Sequence, residues 1–242
     1  SGPAGIAAAQ ELADKKLDVI LVEQDSVIGG DKLSEANFDS ENLKSTLLSS
    51  GVRIMRRTTA FGLYDNCVAG LIERVTDHMH VKPEYLPRQR FWTIRAKHII
   101  ISTGAFERHI AFNNNDIPGV MNANAAKHYL NRYGVLSGKD IAIATNNDSV
   151  YDTAVELAKA GSNVSVVDSR SFVGNEITEE LDKNNIEHIL GRVPYNINGK
   201  KAVHNIELKN INIKNSNHKH QIKSDLILLS GGWSPVVHLL SH

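Results

Sequence analysis

Two apolar rhythms run along this chain. Ile6-Ala7-Ala8-Ala9-Gln10-Glu11-Leu12-Ala13 is alanine-rich and reads as a helix, since alanine carries the least cost of any residue in that conformation. Asp18-Val19-Ile20-Leu21-Val22 is a short apolar run and reads as a strand, with Glu23 at its C-terminal end. A helix is predicted over Glu41–Ser50, stopped by Gly51, and a strand over Val52–Met55. Short β-type runs follow near Ala60–Tyr64, Cys67–Val75 and Phe91–Arg95. Asp65-Asn66 and the stretch from Pro83 to Pro87 separate them, and together they predict an antiparallel insert. Lys97-His98-Ile99-Ile100-Ile101-Ser102-Thr103-Gly104-Ala105 reads as a buried strand running into a turn of small residues.

The alternation then repeats. A second α/β unit begins near Val120, with a strand over Lys139–Ala144, a helix from Ser149 to Ala160 ended by Gly161, and a strand over Asn163–Val167 with Asp168 at its tip. Ala202–Leu208 and Gln221–Ile222 predict a further antiparallel piece, and Asp225–Leu229 is expected to return to the first domain. Strands alternating with helices imply parallel sheets. The expected fold is α/β, with two Rossmann-like dinucleotide-binding domains of the flavoprotein disulfide-reductase type. The first covers residues 1–118 and 222–242, and the second, 119–221, is inserted in it.

The first turn carries chemistry. A dinucleotide fold runs strand, G-x-G-x-x-G, helix, and Ser1-Gly2-Pro3-Ala4-Gly5 supplies its last part. The first glycine and its strand are therefore expected upstream of Ser1, in a longer protein. Gly2 lets the backbone approach a pyrophosphate, Gly5 lets the helix pack close to the sheet, and the helix N-terminus offers its amides to the phosphates. Glu23 stands 18 residues after Gly5 and 21 after Gly2, near the roughly 20-residue offset of a ribose-binding acid. Such an acid repels a 2′-phosphate, which favours NAD or FAD over NADP. Gly29-Gly30, just past Glu23, and Thr103-Gly104 are further places where such a fold passes close to its cofactor. The second unit's corresponding turn, Thr145-Asn146-Asn147-Asp148-Ser149-Val150, holds no glycine, and no dinucleotide is expected there.

Composition narrows the setting. Lys plus Arg equals Asp plus Glu at 27 each, which gives no reason to expect nucleic acid or an anionic membrane surface. No apolar run approaches the ~18 residues of a membrane span. One cysteine, Cys67, excludes an internal disulfide and a CxxC centre; it reads as a small core residue of an apolar strand. A cytoplasmic setting fits. His78 and His80, like His218 and His220, have i, i+2 spacing without a supporting cluster and read as solvated loop residues rather than a metal pair. Arg56-Arg57 reads as a solvated pair or a partner contact, and Glu107-Arg108 as a cofactor-positioning pair or a surface ion pair.

Five stretches carry a family resemblance. Ser102-Thr103-Gly104-Ala105-Phe106-Glu107-Arg108, Asn114-Asn115-Asp116-Ile117-Pro118-Gly119-Val120-Met121, Tyr129-Leu130-Asn131-Arg132-Tyr133-Gly134-Val135, Thr145-Asn146-Asn147-Asp148-Ser149 and Gly231-Gly232-Trp233-Ser234-Pro235-Val236-Val237-His238-Leu239 resemble the alpha subunit of heterotetrameric sarcosine oxidase. The resemblance implies an oxidoreductase acting on CH–NH donors. Its complex turns sarcosine into glycine with oxygen as acceptor, giving peroxide and either formaldehyde or methylene-tetrahydrofolate. It also implies beta, gamma and delta partner subunits, NAD (or FAD in the same site) held here, and flavin and tetrahydrofolate elsewhere in the complex. No complete catalytic constellation is expected in this chain, and the isolated chain is expected to be inactive. The alternatives are an alpha-type subunit of an opine or proline dehydrogenase, which shares the Thr-Gly-Ala…Glu-Arg stretch, and a non-catalytic scaffold holding a dinucleotide.

Overall fold

The computed structural model describes residues 1–35, 38–211 and 220–241. The chain forms two compact units, one from residues 1–105 with 235–242, the other from residues 106–234.

In the first unit, helix α1 (Pro3–Asp14) leads to strand β1 (Ile20–Val22), helix α2 (Ser40–Ser49) and strand β2 (Arg53–Met55). β1 and β2 pair in parallel, with Ile20 opposite Arg53 and Val22 opposite Met55. Asp39 caps α2 by accepting from the Asn42 amide. Ala9 and Ala13 of α1, Leu21, Ile28, Leu47 and Val52 form the core. Small residues along α1 let the helix axis lie close to the strands. β3 (Thr58–Tyr64), β4 (Val68–Arg74) and β5 (Gln89–Arg95) make the expected antiparallel sheet, in the order β3-β4-β5. β6 (Ala105–Glu107) pairs with a late strand, Trp233–Pro235, where the chain passes between units.

The second unit is a five-stranded, wholly parallel sheet. In chain order come β7 (Val120–Asn122), α3 (Ala123–Tyr133), β8 (Asp140–Thr145), α4 (Tyr151–Lys159), β9 (Asn163–Asp168), α5 (Asn175–Lys183) and β10 (Glu187–Leu190). The antiparallel β11 (Arg192–Gly199), β12 (Val203–Asn210) and β13 (His220–Lys223) follow, then β14 (Leu226–Ser230) and β15 (Trp233–Pro235). The parallel sheet runs β10-β9-β8-β14-β7. Its two faces divide the apolar residues by the two-residue strand period. Ile141, Ile143, Leu226 and Leu228 join the helices, while Ala142, Ala144, Ile227 and Leu229 join Ile197, Ile206 and Leu208 of the antiparallel sheet. Burial on both faces is why these strands read as continuous apolar runs.

Three expectations change. The boundaries 1–118, 119–221 and 222–242 move outward, because β14 lies between β8 and β7 rather than returning to the first unit; Ile110, Phe112 and Ile117 also pack on the second unit's core. Lys97–Ala105 forms no buried strand: Ile99 and Ile101 are half-buried, Ile100 is exposed, and only Ala105 enters a ladder, that of β6. A strand exists only where a neighbour takes its amides and carbonyls along a ladder, and no described residue forms a ladder with 98–104. Cys67 sits not in a strand but at the turn between β3 and β4, with φ +56°; Asn66, at φ +59°, shares this left-handed corner. His78 and His80 are exposed in the connection from β4 to β5, His220 is half-buried in β13, and His218 lies outside the described residues. Among the described residues no helix is long and apolar enough to cross a membrane.

Candidate functional site

α1 starts abruptly. Gly2 is its N-cap, in an extended conformation and without a side-chain cap, and Pro3 opens the first turn. Proline suits that position because its fixed φ is helical and its missing amide would have no partner there. The Ile6 amide is the first to close on the helix, bonding Gly2 O at 3.0 Å. The amides of Ala4 and Gly5 thus have no acceptor within the helix. No acidic side chain stands in this turn to compete for them.

Each glycine has a distinct surrounding. A Cβ on Gly2 would meet nothing within 4 Å, so the space beside the turn is open. A Cβ on Gly5 would lie 3.4 Å from Ser102 Cβ and 3.9 Å from Leu21 Cδ1, ordinary van der Waals contact with β1 and the 98–104 segment. The Gly29 amide donates to Ser1 O at 3.1 Å, and a Cβ on Gly30 would stand 2.7 Å from Gly2 Cα. Their φ angles, +138° and +57°, are ones a side chain disfavours. Gly29-Gly30 therefore braces the glycine turn from behind. Thr103 Oγ1 donates to Val236 O at 2.6 Å, and Gly104, at φ +75°, accepts from the Val236 amide at 2.9 Å. Thr103-Gly104 is thus tied to the C-terminal strand segment, beside the Ser102 that backs Gly5.

Glu23 completes the site. Its Oε2 accepts from Ser1 Oγ at 2.6 Å and from the Ser1 backbone nitrogen at 2.8 Å; its Oε1 accepts from the Asp25 amide at 2.8 Å. The side chain is nearly buried. Burial by itself pushes its carboxyl up, and the Ser1 hydroxyl and the Asp25 amide pull it down. The structure therefore brings Ser1, Gly2, Pro3, Ala4, Gly5, Glu23, Gly29 and Gly30 into one cluster.

The matching end of the second unit is built differently. Between β8 and α4, Asn147 Oδ1 accepts from the Ser149 amide at 3.1 Å and from Ser149 Oγ at 2.6 Å, while its Nδ2 donates to Ser230 O at 3.2 Å. The side chain thus caps the turn and bridges the ends of β8 and β14. Asp168, at the tip of β9, is 0% exposed. It accepts from Tyr151 Oη at 2.7 Å and from Arg170 through its backbone amide at 2.8 Å, Nε at 3.1 Å and Nη2 at 2.7 Å. Arg170 also meets Asp148 at 2.7 Å. Burial pushes Asp168 up, yet Arg170 and Tyr151 together hold it below the ordinary aspartate value. Burial and then Asp168 raise the Tyr151 phenol, and burial lowers His188, whose ring stands edge-on to Tyr151. Glu107 and Arg108 work separately: a Glu107 carboxylate oxygen accepts from the Asn124 amide at the start of α3, and Arg108 Nε donates to Ser234 Oγ.

A glycine turn opening a helix in one unit, and a parallel five-stranded sheet covered by helices and an antiparallel sheet in the other, define a two-domain dinucleotide fold. The pyridine nucleotide-disulphide oxidoreductase pattern matches residues 73–242, and that of the NAD(P)-binding Rossmann-like domain matches residues 1–67. The chain belongs to the pyridine nucleotide-disulphide oxidoreductase family. Across its whole length it is 36% identical to sarcosine oxidase subunit alpha of Rhizobium meliloti (strain 1021) and 33% identical to that of Corynebacterium sp. (strain U-96). It covers 24% and 26% of those proteins, so it spans about a quarter of their length. Among solved structures, Lactococcus lactis thioredoxin reductase aligns with a TM-score of 0.72 at 21% identity, over 100% of this chain and 78% of that one. L-proline dehydrogenase from P. horikoshii aligns at 0.61 and 24% identity, over 98% of this chain and 41% of that one.

Proposed function

We propose that this chain is the dinucleotide-holding part of a sarcosine oxidase alpha subunit, with NAD lying along Ser1–Gly5. FAD in the same site is the alternative occupant. The observation that carries this reading is the open face of Gly2 beside the nearly buried Glu23 carboxylate, at the mouth of a helix whose Ala4 and Gly5 amides have no acceptor within it. Ala4 and Gly5 donate to phosphate, Glu23 accepts from the adenosine ribose, and Gly30 keeps the turn pressed into shape. The dinucleotide supplies two-electron, hydride-level redox capacity when bound; the residues described here bind and orient it. The likeness to sarcosine oxidase alpha subunits over the whole chain supports the wider reading. In that reading, the chain works in the cytoplasm with beta, gamma and delta subunits. The complex demethylates sarcosine oxidatively to glycine, with flavin and tetrahydrofolate held elsewhere and peroxide as a product.

The test is the nucleotide itself. The full-length protein, purified in its native state and then denatured, releases NAD detectable by mass spectrometry. Release of FAD would reassign the occupant, and folded protein without any adenine dinucleotide would overturn the reading.

A further inference from the structure

The loop after β1 is gripped at three consecutive carbonyls, each by an arginine. Arg74, the last residue of β4, donates from Nη2 to Gln24 O at 2.5 Å. The Arg57 amide donates to Asp25 O at 2.8 Å. Arg56 Nη1 donates to Ser26 O at 3.0 Å. The same β2–β3 corner also holds Glu23, whose amide bonds Met55 O and whose carbonyl accepts from the Thr58 amide, both at 2.8 Å. Arg57 occupies φ +54° to make this corner, a conformation that disfavours any residue with a Cβ and persists where its surroundings over-determine it.

One of these contacts acts directly on the candidate site. Gln24 C=O and Asp25 N–H belong to a single planar trans peptide, so they point in opposite directions. Fixing the carbonyl on Arg74 fixes the amide, and that amide is the one that donates to Glu23 Oε1 at 2.8 Å. The guanidinium also polarises the peptide and strengthens the amide as a donor, as charged ends do in hydrogen-bonded chains. We infer that Arg74, seconded by Arg56, is a positioning residue: it aims the peptide that sets the Glu23 carboxylate for ribose. Arg74 is exposed and reaches across 50 positions of sequence to a backbone oxygen, a role that neither a solvated charge nor a core residue would need.

This inference rests on Glu23 being the ribose ligand of the proposed site, and the experiment separates the two. In the full-length protein, Arg74→Met and Arg74→Lys are compared with the parent by amide hydrogen exchange at Asp25 and by calorimetric titration. The ligands are NAD and its analogue lacking the 2′-hydroxyl of the adenosine ribose. The parent prefers NAD, with the roughly tenfold margin of a hydrogen bond to a charged group. In Arg74→Met that preference shrinks by at least half, Asp25 exchange accelerates, and Arg74→Lys restores part of both. Unchanged Asp25 exchange, or equal weakening of both ligands, would overturn the inference, because the second result places Arg74 on phosphate or adenine instead. A parent that binds neither ligand would instead refute the site reading, and that failure shows before any variant is made.

Discussion

The two units meet the same structural problem at the start of α1 and of α4, and solve it in opposite ways. Each helix begins with amides that need an acceptor. At α1 the turn is stripped: Gly2 has no side chain, no acid stands in the first turn, and the space beside it is open. Before α4 the turn is filled: the Asn147 side chain caps the short turn Asp148–Val150 that leads into α4, accepting from Ser149 and tying back to Ser230. The acids at the neighbouring strand tips differ as well. Glu23 is held by hydroxyl and backbone N–H groups of its own unit, whereas Asp168 is fully covered and matched to a guanidinium that also takes Asp148. The difference teaches that one helix-and-strand frame can present either a bare turn or a turn filled by its own side chains.

Removing a replacement should hurt most. Arg170→Met leaves Asp168 buried without its cation, a loss of about 3–5 kcal/mol for a broken buried pair, read by urea denaturation. The pH dependence weakens with it. In the parent, Asp168 is held below its ordinary 3.8, so its contribution is complete above that pH and is lost as pH falls through the folded value. In Arg170→Met only the Tyr151 hydroxyl and the residue-170 amide still oppose burial, so the carboxyl moves up from its parent value and the stability lost on acidification shrinks. A variant with the parent's pH profile would show that Arg170 does not carry the acid. Next in size is writing the second unit's solution into the first. Gly2→Asn places a preferred N-cap residue at an extended position with open space around it, so stability should hold within about 0.5 kcal/mol or improve. Dinucleotide affinity should fall by about 1–3 kcal/mol, the usual cost of forcing atoms into a fitted space. Affinity unchanged in Gly2→Asn would mean that the turn is not the phosphate cradle. The smallest effect is expected at Asn147→Ala, about 1 kcal/mol for a lost cap. An NADH titration of parent and variant alike should give at most one tight site per chain, and a second equivalent in either would erase the contrast between the turns.

Much of this contrast is legible in the residues. Glycines and asparagines declare themselves at turns, because the first permit close backbone approach and the second satisfy amides with their own side chains. The strand Leu226–Ser230 was equally visible as a strand, but not its sheet: a run buried on both faces carries no alternation to say which neighbours it has. Ile99–Ile101 looks the same in sequence and forms no ladder, since a strand depends on a partner that composition does not name. Cys67 sits among apolar residues, yet the corner it makes with Asn66 puts it at a turn. Arg56 and Arg74 were unreadable as parts of a site, because their targets are backbone oxygens, which every residue has.

The Asn147 cap also sets how each unit answers to supply. A ligand that binds only the folded form adds RT ln(1 + [L]/Kd) to stability, about 2.7 kcal/mol at a hundredfold excess over Kd. A unit that holds its dinucleotide at an open glycine turn gains or loses that increment with the cell's nucleotide pool. A unit whose cap is covalently part of the chain carries its acceptor at an effective concentration no metabolite can change. Under nucleotide depletion, proteolysis should therefore cut first within residues 1–105, with the sheet around β8 and β14 cut last.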